Sequence, residues 1–294
     1  MVRILLTCFA LLGFGLSTAL IADQGCPERP LWIGQSGGFI VQWCKDDITA
    51  HPVGNPTRLL FSAKSIARNS FEYESAMVAE AYGQENRLSE YERDFTVMSM
   101  VGSIITFKDH YYTSLKREAH PAGETRYTAI DLAKQGEVDP ASPGEVVKLT
   151  DFFMESDILH ALLADPLIGE ALKNADEQDI SRRDLSALIE ELSGPAVSEK
   201  YCYEISDDLL TRFAFHHIEK GKVAVRIGLS GAGPCRESLT EIGILLPIPE
   251  RLKRAFALAE SGKEGFLMKD LKKIARGQKF ILRFKANKGS KTSQ

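Results

Sequence analysis

The sequence predicts an α+β protein: mostly antiparallel sheet, with a central helical segment and a C-terminal helix. Three observations predict it. Segments rich in Val, Ile, Thr, Phe and Tyr come first, capped helical runs follow near 150–195, and β-forming segments then return. Ser103-Ile-Ile-Thr-Phe-Lys-Asp-His-Tyr-Tyr alternates partially, as befits a sheet with one wet face. Glu219-Lys220-Gly221-Lys222 places a glycine between two β-forming runs, the signature of a hairpin.

The first elements lie on the N-terminal side. Leu31 to Cys44 mixes β-formers with Gly34, Gly37 and Gly38 and reads as a first strand or hairpin, followed by a Pro/Gly loop from His51 to Thr57. Ser62 to about Asn86 permits an amphipathic helix through Ile66, Phe71, Met77, Val78 and Ala81. Phe95–Val101, Ser103–Leu115 and Glu124–Leu132 read as successive strands, and Pro140, Pro143 and Gly144 mark a turn. Three helices are then expected. One follows Thr150-Asp151, one opens at Asp165-Pro166 with the proline at the first helical position, and one is capped by Ser181 and stopped by Gly194-Pro195. Strands return at Lys200–Ile205, Leu210–Ile218, Lys222–Leu229 and Glu241–Leu246, before a helix over Pro249–Glu260 and a last piece at Phe280–Phe284.

The 294 residues are 44% hydrophobic, 26% charged and 9% aromatic, which excludes disorder, collagen and a polytopic membrane protein. Only the N-terminus is continuously apolar. Arg3, the uncharged run Ile4–Ala22 and small residues at Ser17 and Ala19 read as a cleavable secretory signal over residues 1–22, ending at Ala19 or Ala22. An uncleaved anchor is the alternative, since the run could just span a bilayer. Residues 23–285 form the body, as one unit or as two packed halves dividing near 150–195, and 286–294 form a basic tail.

Cleavage leaves Cys26, Cys44, Cys202 and Cys235, which allow three pairings. Cys26–Cys44 and Cys202–Cys235 close the shortest loops, each contributing about 3 kcal/mol by restricting the unfolded chain. Charge is split: Arg251 to Gln294 holds 13 Lys/Arg against 3 Asp/Glu, while residues 4–250 hold 22 against 37. The basic segment either lies on the acidic body or is drawn to an anionic envelope surface; nucleic acid is not expected.

Catalytic motifs are few. Gly34-Gln-Ser36-Gly-Gly38 matches Gly-x-Ser-x-Gly, but a nucleophile elbow needs a helix directly after the serine, and Phe39-Ile-Val-Gln-Trp reads as strand. His51, His110, His120, His160, His216 and His217 form no zinc-hydrolase spacing. His216 and His217, adjacent on a strand, are expected on opposite faces. Asp46-Asp47 and Asp207-Asp208 read as turn residues. The sequence therefore predicts no catalytic residue, no metal and no cofactor.

Ser103, Tyr111-Tyr112, Ala119-His120-Pro121, Tyr127 with Asp131-Leu132, and Leu149-Thr-Asp-Phe-Phe153 follow one another in the order of a known family pattern. The segment from Met98 to Phe153 resembles the extracytoplasmic domain shared by RsiV-type anti-sigma factors and the non-catalytic part of PdaC-type peptidoglycan deacetylases. Phe213 to Pro249 is similar to that family's closing hairpin. Arg117-Glu118 stand where the family has glycines, and its late Pro-Tyr-Glu element is missing. The resemblance implies an α+β sensing or wall-associated module, some relatives of which recognise lysozyme.

The expected function is a non-catalytic binding or sensing module of the bacterial envelope, periplasmic or secreted. It would contact peptidoglycan or a wall-active protein such as lysozyme. Tyr111, Tyr112, His120 and Tyr127 are its candidate binding residues, the tyrosines as a stacking platform or as packing within the sheet. The alternatives are a secreted hydrolase using Ser36 or a carboxylate pair, and a structural envelope subunit.

Overall fold

Gly37 and Gly38 turn the chain back on itself through φ values of +57° and +85°, a pairing open to glycine because it lacks a Cβ. They join β1 (Trp32–Ser36) to β2 (Phe39–Trp43), and β3 (Ile48–Pro52) and β4 (Phe61–Ser62) complete a four-stranded antiparallel sheet in chain order. The computed structural model describes residues 30–83, 88–115, 122–135, 146–173, 184–193, 203–206, 208–231, 239–275 and 280–285. The loop expected from His51 starts two residues later. His51 pairs with Ile40 and Pro52 with Phe39, and the Val53 amide donates to Gly38 O at 2.9 Å.

Helix α1 (Ala63–Tyr82) starts where expected, with the Ser62 side chain accepting from the Ser65 amide at 3.0 Å. Asp47 fastens that start to the β2–β3 turn. It accepts from Ser62 Oγ (2.8 Å), the Lys64 amide (2.9 Å) and the Ile48 amide (2.7 Å).

The second sheet has the order β12-β5-β6-β7, made of β5 (Leu88–Val101), β6 (Ile104–Leu115), β7 (Ala122–Asp131) and β12 (Phe280–Lys285), all antiparallel. One face, through Phe95, Val97, Ile105, Phe107 and Ile130, forms a core with α1 and the first sheet. Gly265 ties β1 to β5. Its amide donates to Gln35 O at 2.8 Å, φ is +68°, and Phe266 beside it exchanges backbone bonds with Met100.

In the third sheet β10 (Lys222–Gly231) carries β11 (Leu239–Pro247) on one edge. Its other edge takes β9 (Phe213–Glu219) and, at Ser230 and Gly231, the short β8 (Tyr203–Glu204). Helices α2 (Glu155–Leu163), α3 (Pro166–Leu172) and α4 (Leu185–Leu192) pack through Ile158, Leu162, Ile168, Leu188 and Leu192 on Phe213, Phe215, Val225, Ile227 and Ile244. Asp165 caps α3, as its sequence suggests. Asp184 caps α4 through the Ala187 amide at 2.7 Å; the expected cap, Ser181, lies outside the described residues. After a single 3-10 turn at Glu250–Leu252 the C-terminal helix α5 (Lys253–Glu260) follows, and α6 (Leu271–Ala275) adds an unanticipated short turn. The α+β class with antiparallel sheets is thus observed.

One geometric expectation fails. His216 and His217 do not diverge, because the β9–β10 register shifts between Ala224 and Val225: His217 faces Ala224 and Phe215 faces Val225, leaving His216 as the extra residue of a bulge. Their Nδ1 atoms are 2.7 Å apart.

The signal at 1–22, Cys26, Cys202, Cys235, His120 and the tail 286–294 lie outside the described residues. Cys44 is buried, and Cys26, its expected partner, lies outside the described residues. Among the described residues no helix is long and apolar enough to cross a membrane.

Candidate functional site

Residues paired across neighbouring antiparallel strands share a face. Along β5, β6 and β7 the register therefore sets up three ranks on the face beneath α1. Val97, Phe107 and Thr128 form the first, Phe95, Asp109 and Arg126 the second, and Arg93, Tyr111 and Glu124 the third. The face changes from apolar to charged within three ranks. Phe61 stacks on Phe107, with ring centroids 4.5 Å apart and planes 14° from parallel, and Phe95 meets Phe107 edge-on. Ile66 of α1 and the turn carrying Asp208, Thr211 and Arg212 close a cavity of about 310 Å³ over these rings.

Its wall is built from guanidiniums and carboxylates. Arg93 donates to Asp109 through Nε (2.9 Å) and Nη2 (2.7 Å), and also to Ser70 of α1. Burial works against the Arg93 charge, yet the bonds and charge of Asp109 hold its pKa above the ordinary arginine value. Arg212 lies 2.7 Å from Asp208 and 3.3 Å from Glu124. Burial opposes ionisation of Asp208, but bonds from Arg212 and Ser206 keep its pKa below the usual carboxylate value. Arg126 is at the rim, with a side chain 37% exposed. Its Nε is 3.6 Å from Asp109 and its Nη1 4.0 Å from Glu124, and the buried Nε makes no hydrogen bond.

Chemically, such a lining can hold an anion. A guanidinium keeps its proton in proteins, so it binds and orients an anion and does not relay protons. Aromatic and aliphatic side chains beneath it accept an apolar body.

The sequence-predicted residues are separated by the same register. Tyr111 lies in the rank with Arg93 and Glu124, half-buried beside the cavity; burial first, then the Glu124 charge, pushes its phenol up. Tyr112 pairs with Gly123 and Tyr127 with Lys108, which puts both on the opposite face from Tyr111. Tyr127 is 1% exposed, and its hydroxyl donates to Glu241 of the third sheet. The three tyrosines therefore do not form one continuous platform. His120 falls between the described ends of the β6–β7 hairpin and is itself outside the described residues.

Ser36 is buried at the end of β1, opposite Phe39, and the chain runs from it through the glycine turn into β2. A strand, not a helix, follows it. No group of three or more His, Cys, Asp or Glu side chains able to hold a metal occurs among the described residues.

Arg93, Asp109, Arg126 and Arg212 were not singled out by sequence reasoning, although a signal was there. Ile105, Phe107 and Asp109 have one parity on β6, and Phe95 and Arg93 have one parity on β5. A charge in phase with core residues on two neighbouring strands points to a buried pair. No family model and no curated protein matches the chain.

Proposed function

We propose that this chain is an exported, non-catalytic binding module of the bacterial envelope that contacts peptidoglycan or a wall-active protein such as lysozyme. The observation that carries the reading is the cavity of about 310 Å³ beneath Arg126, with stacked Phe61 and Phe107 as its floor and paired guanidiniums as its wall. Arg126, whose carboxylate neighbours are 3.6 and 4.0 Å away, offers donors to an anion, the floor favours an apolar portion of the ligand, and both are anchored on strands. The expected pairing of Cys26 with Cys44 fits an oxidising compartment. The likeness of Met98 to Phe153 to wall-associated domains supports the ligand class.

Purified wall material and lysozyme, each immobilised and challenged with the mature chain at low ionic strength, test the proposal. Retention on at least one, weakened by Arg126→Gln or Phe107→Ala in a folded variant, is expected. Failure of the wild-type chain to bind either removes it.

A further inference from the structure

The three arginines around the cavity are not equally engaged. Arg93 is held by both oxygens of Asp109, and Arg212 by Asp208 at 2.7 Å and Glu124 at 3.3 Å. Arg126 has only longer approaches. Asp109 Oδ2, 3.6 Å from its Nε, already accepts from Arg93 at 2.7 Å, and Glu124 is 4.0 Å from Nη1, farther than it is from Arg212. The Nε atoms of Arg126 and Arg212 are both buried donors without a hydrogen bond in residues that line the cavity, but Arg212 is held through its Nη atoms and Arg126 is not held so closely. An unmet donor on a charged group is costly, and a ligand that supplies the acceptor recovers that cost.

We propose that Arg126 is the seat of a carboxylate carried on a small apolar group. Two features select that chemistry. A guanidinium presents Nε and one Nη side by side, which matches the two oxygens of a planar carboxylate. Asp109, Asp208 and Glu124 stand close by, so the site tolerates one negative charge and repels the second charge of a phosphate dianion. The cavity is at the small end of ligand sites, enough for a terminal residue and not for a long chain. Its apolar floor suits a methyl-sized or modestly larger group. Resting on the proposed envelope function, the natural bearer of that chemistry is the C-terminal carboxylate of a wall stem peptide ending in alanine. A free small carboxylate is the other source.

Calorimetric titration of the mature chain tests this with diacetyl-Lys-D-Ala-D-Ala, its C-terminal amide, benzoate and inorganic phosphate. The acid is expected to bind at least about tenfold more tightly than the amide, and Arg126→Gln to lose that difference. Arg126→Lys, which keeps the charge and loses the fork, is expected not to restore it, while Arg283→Gln, at an exposed pair with Glu92, leaves it intact. Peptide binding tighter than benzoate assigns the peptide source, and the reverse assigns a free carboxylate; both support the seat. Equal binding of acid and amide, an unchanged Arg126→Gln, or phosphate binding best overturns it. If wild-type and Arg126→Gln chains are retained equally on wall material, the carboxylate seat fails and the envelope reading stands. If neither is retained on wall or lysozyme, the envelope reading itself fails.

Discussion

Arg93 on β5 grips Asp109 on β6 through two parallel hydrogen bonds of 2.9 and 2.7 Å, with both residues less than a tenth exposed. The pair sits where the apolar face of the second sheet becomes charged, and its geometry is the bidentate fork that makes such pairs directional. It holds the cavity wall beside Phe95, whose ring also lies 5.1 Å beneath the Arg93 guanidinium.

Removing one member leaves the other charge buried. Asp109→Ala is expected to lower unfolding stability by about 3–5 kcal/mol, while Arg93→Met with Asp109→Leu recovers most of that loss. Urea unfolding of the two variants checks this. A double variant as unstable as the single one would count against a buried pair whose main cost is desolvation.

The Tyr127 hydroxyl bonds Glu241 across two sheets, and its phenol is pushed well above the ordinary tyrosine value, by burial first and by Glu241 second. Tyr127→Phe keeps the packed ring and loses the bond. A loss of about 1 kcal/mol in urea unfolding is expected, with no change in the core signal of near-UV dichroism. No loss at all would mean the bond contributes nothing between the sheets.

Gly265 has no room for a side chain. A Cβ there would lie 2.1 Å from Met100 O, at a φ of +68° that L residues avoid. Gly265→Ala is expected to cost more than about 1 kcal/mol. Gly54→Ala, where a Cβ meets nothing within 4 Å, should stay within about 0.5 kcal/mol of wild type. Equal thermal midpoints for the two variants would contradict the close approach of Gly265 to Met100.

The histidine bulge gives a pH dependence. Burial, then the charges of Arg226 and His217, lowers the His216 pKa below its ordinary 6.5, with Lys269 acting the same way and Glu241 opposing. His217 itself lies 3.7 Å from Glu219. A group that takes its proton later when folded than when unfolded leaves stability unaffected well above 6.5 and lowers it as pH falls below that value. Urea midpoints measured on both sides of 6.5 should fall on the acid side in wild type, and less steeply in His216→Gln. Identical slopes would remove His216 as the cause.

Much of the fold is legible in the sequence, because local chemistry and tertiary packing agree there. Asp165-Pro166 starts a helix, Lys220-Gly221 turns a hairpin, and the runs around Val97, Ile105 and Ile130 become paired strands. The two-residue β4 and the five-residue α6 are not legible, since they exist through contacts with distant segments. The bulge at His216 is hidden for a similar reason: an extra residue in a strand leaves alternation nearly intact while sending every later side chain to the other face.

The candidate site is less legible than the fold. Tyr111, Tyr112 and Tyr127 look equivalent by type and spacing, but pairing of Tyr111 with Glu124 and of Tyr127 with Lys108 sends them to different faces. Arg126 gains its meaning from Asp109 across the ladder and from Arg212 more than eighty positions later, and register alone brings them together.

Hydrogen exchange of residues 23–294, with and without soluble wall fragments or lysozyme, tests most directly whether the Arg126 cavity is the proposed binding site. Protection concentrated in residues 107–111, 124–130 and 208–212 is the predicted footprint. Bound ligand that leaves those three segments unprotected, while slowing exchange elsewhere, would contradict it.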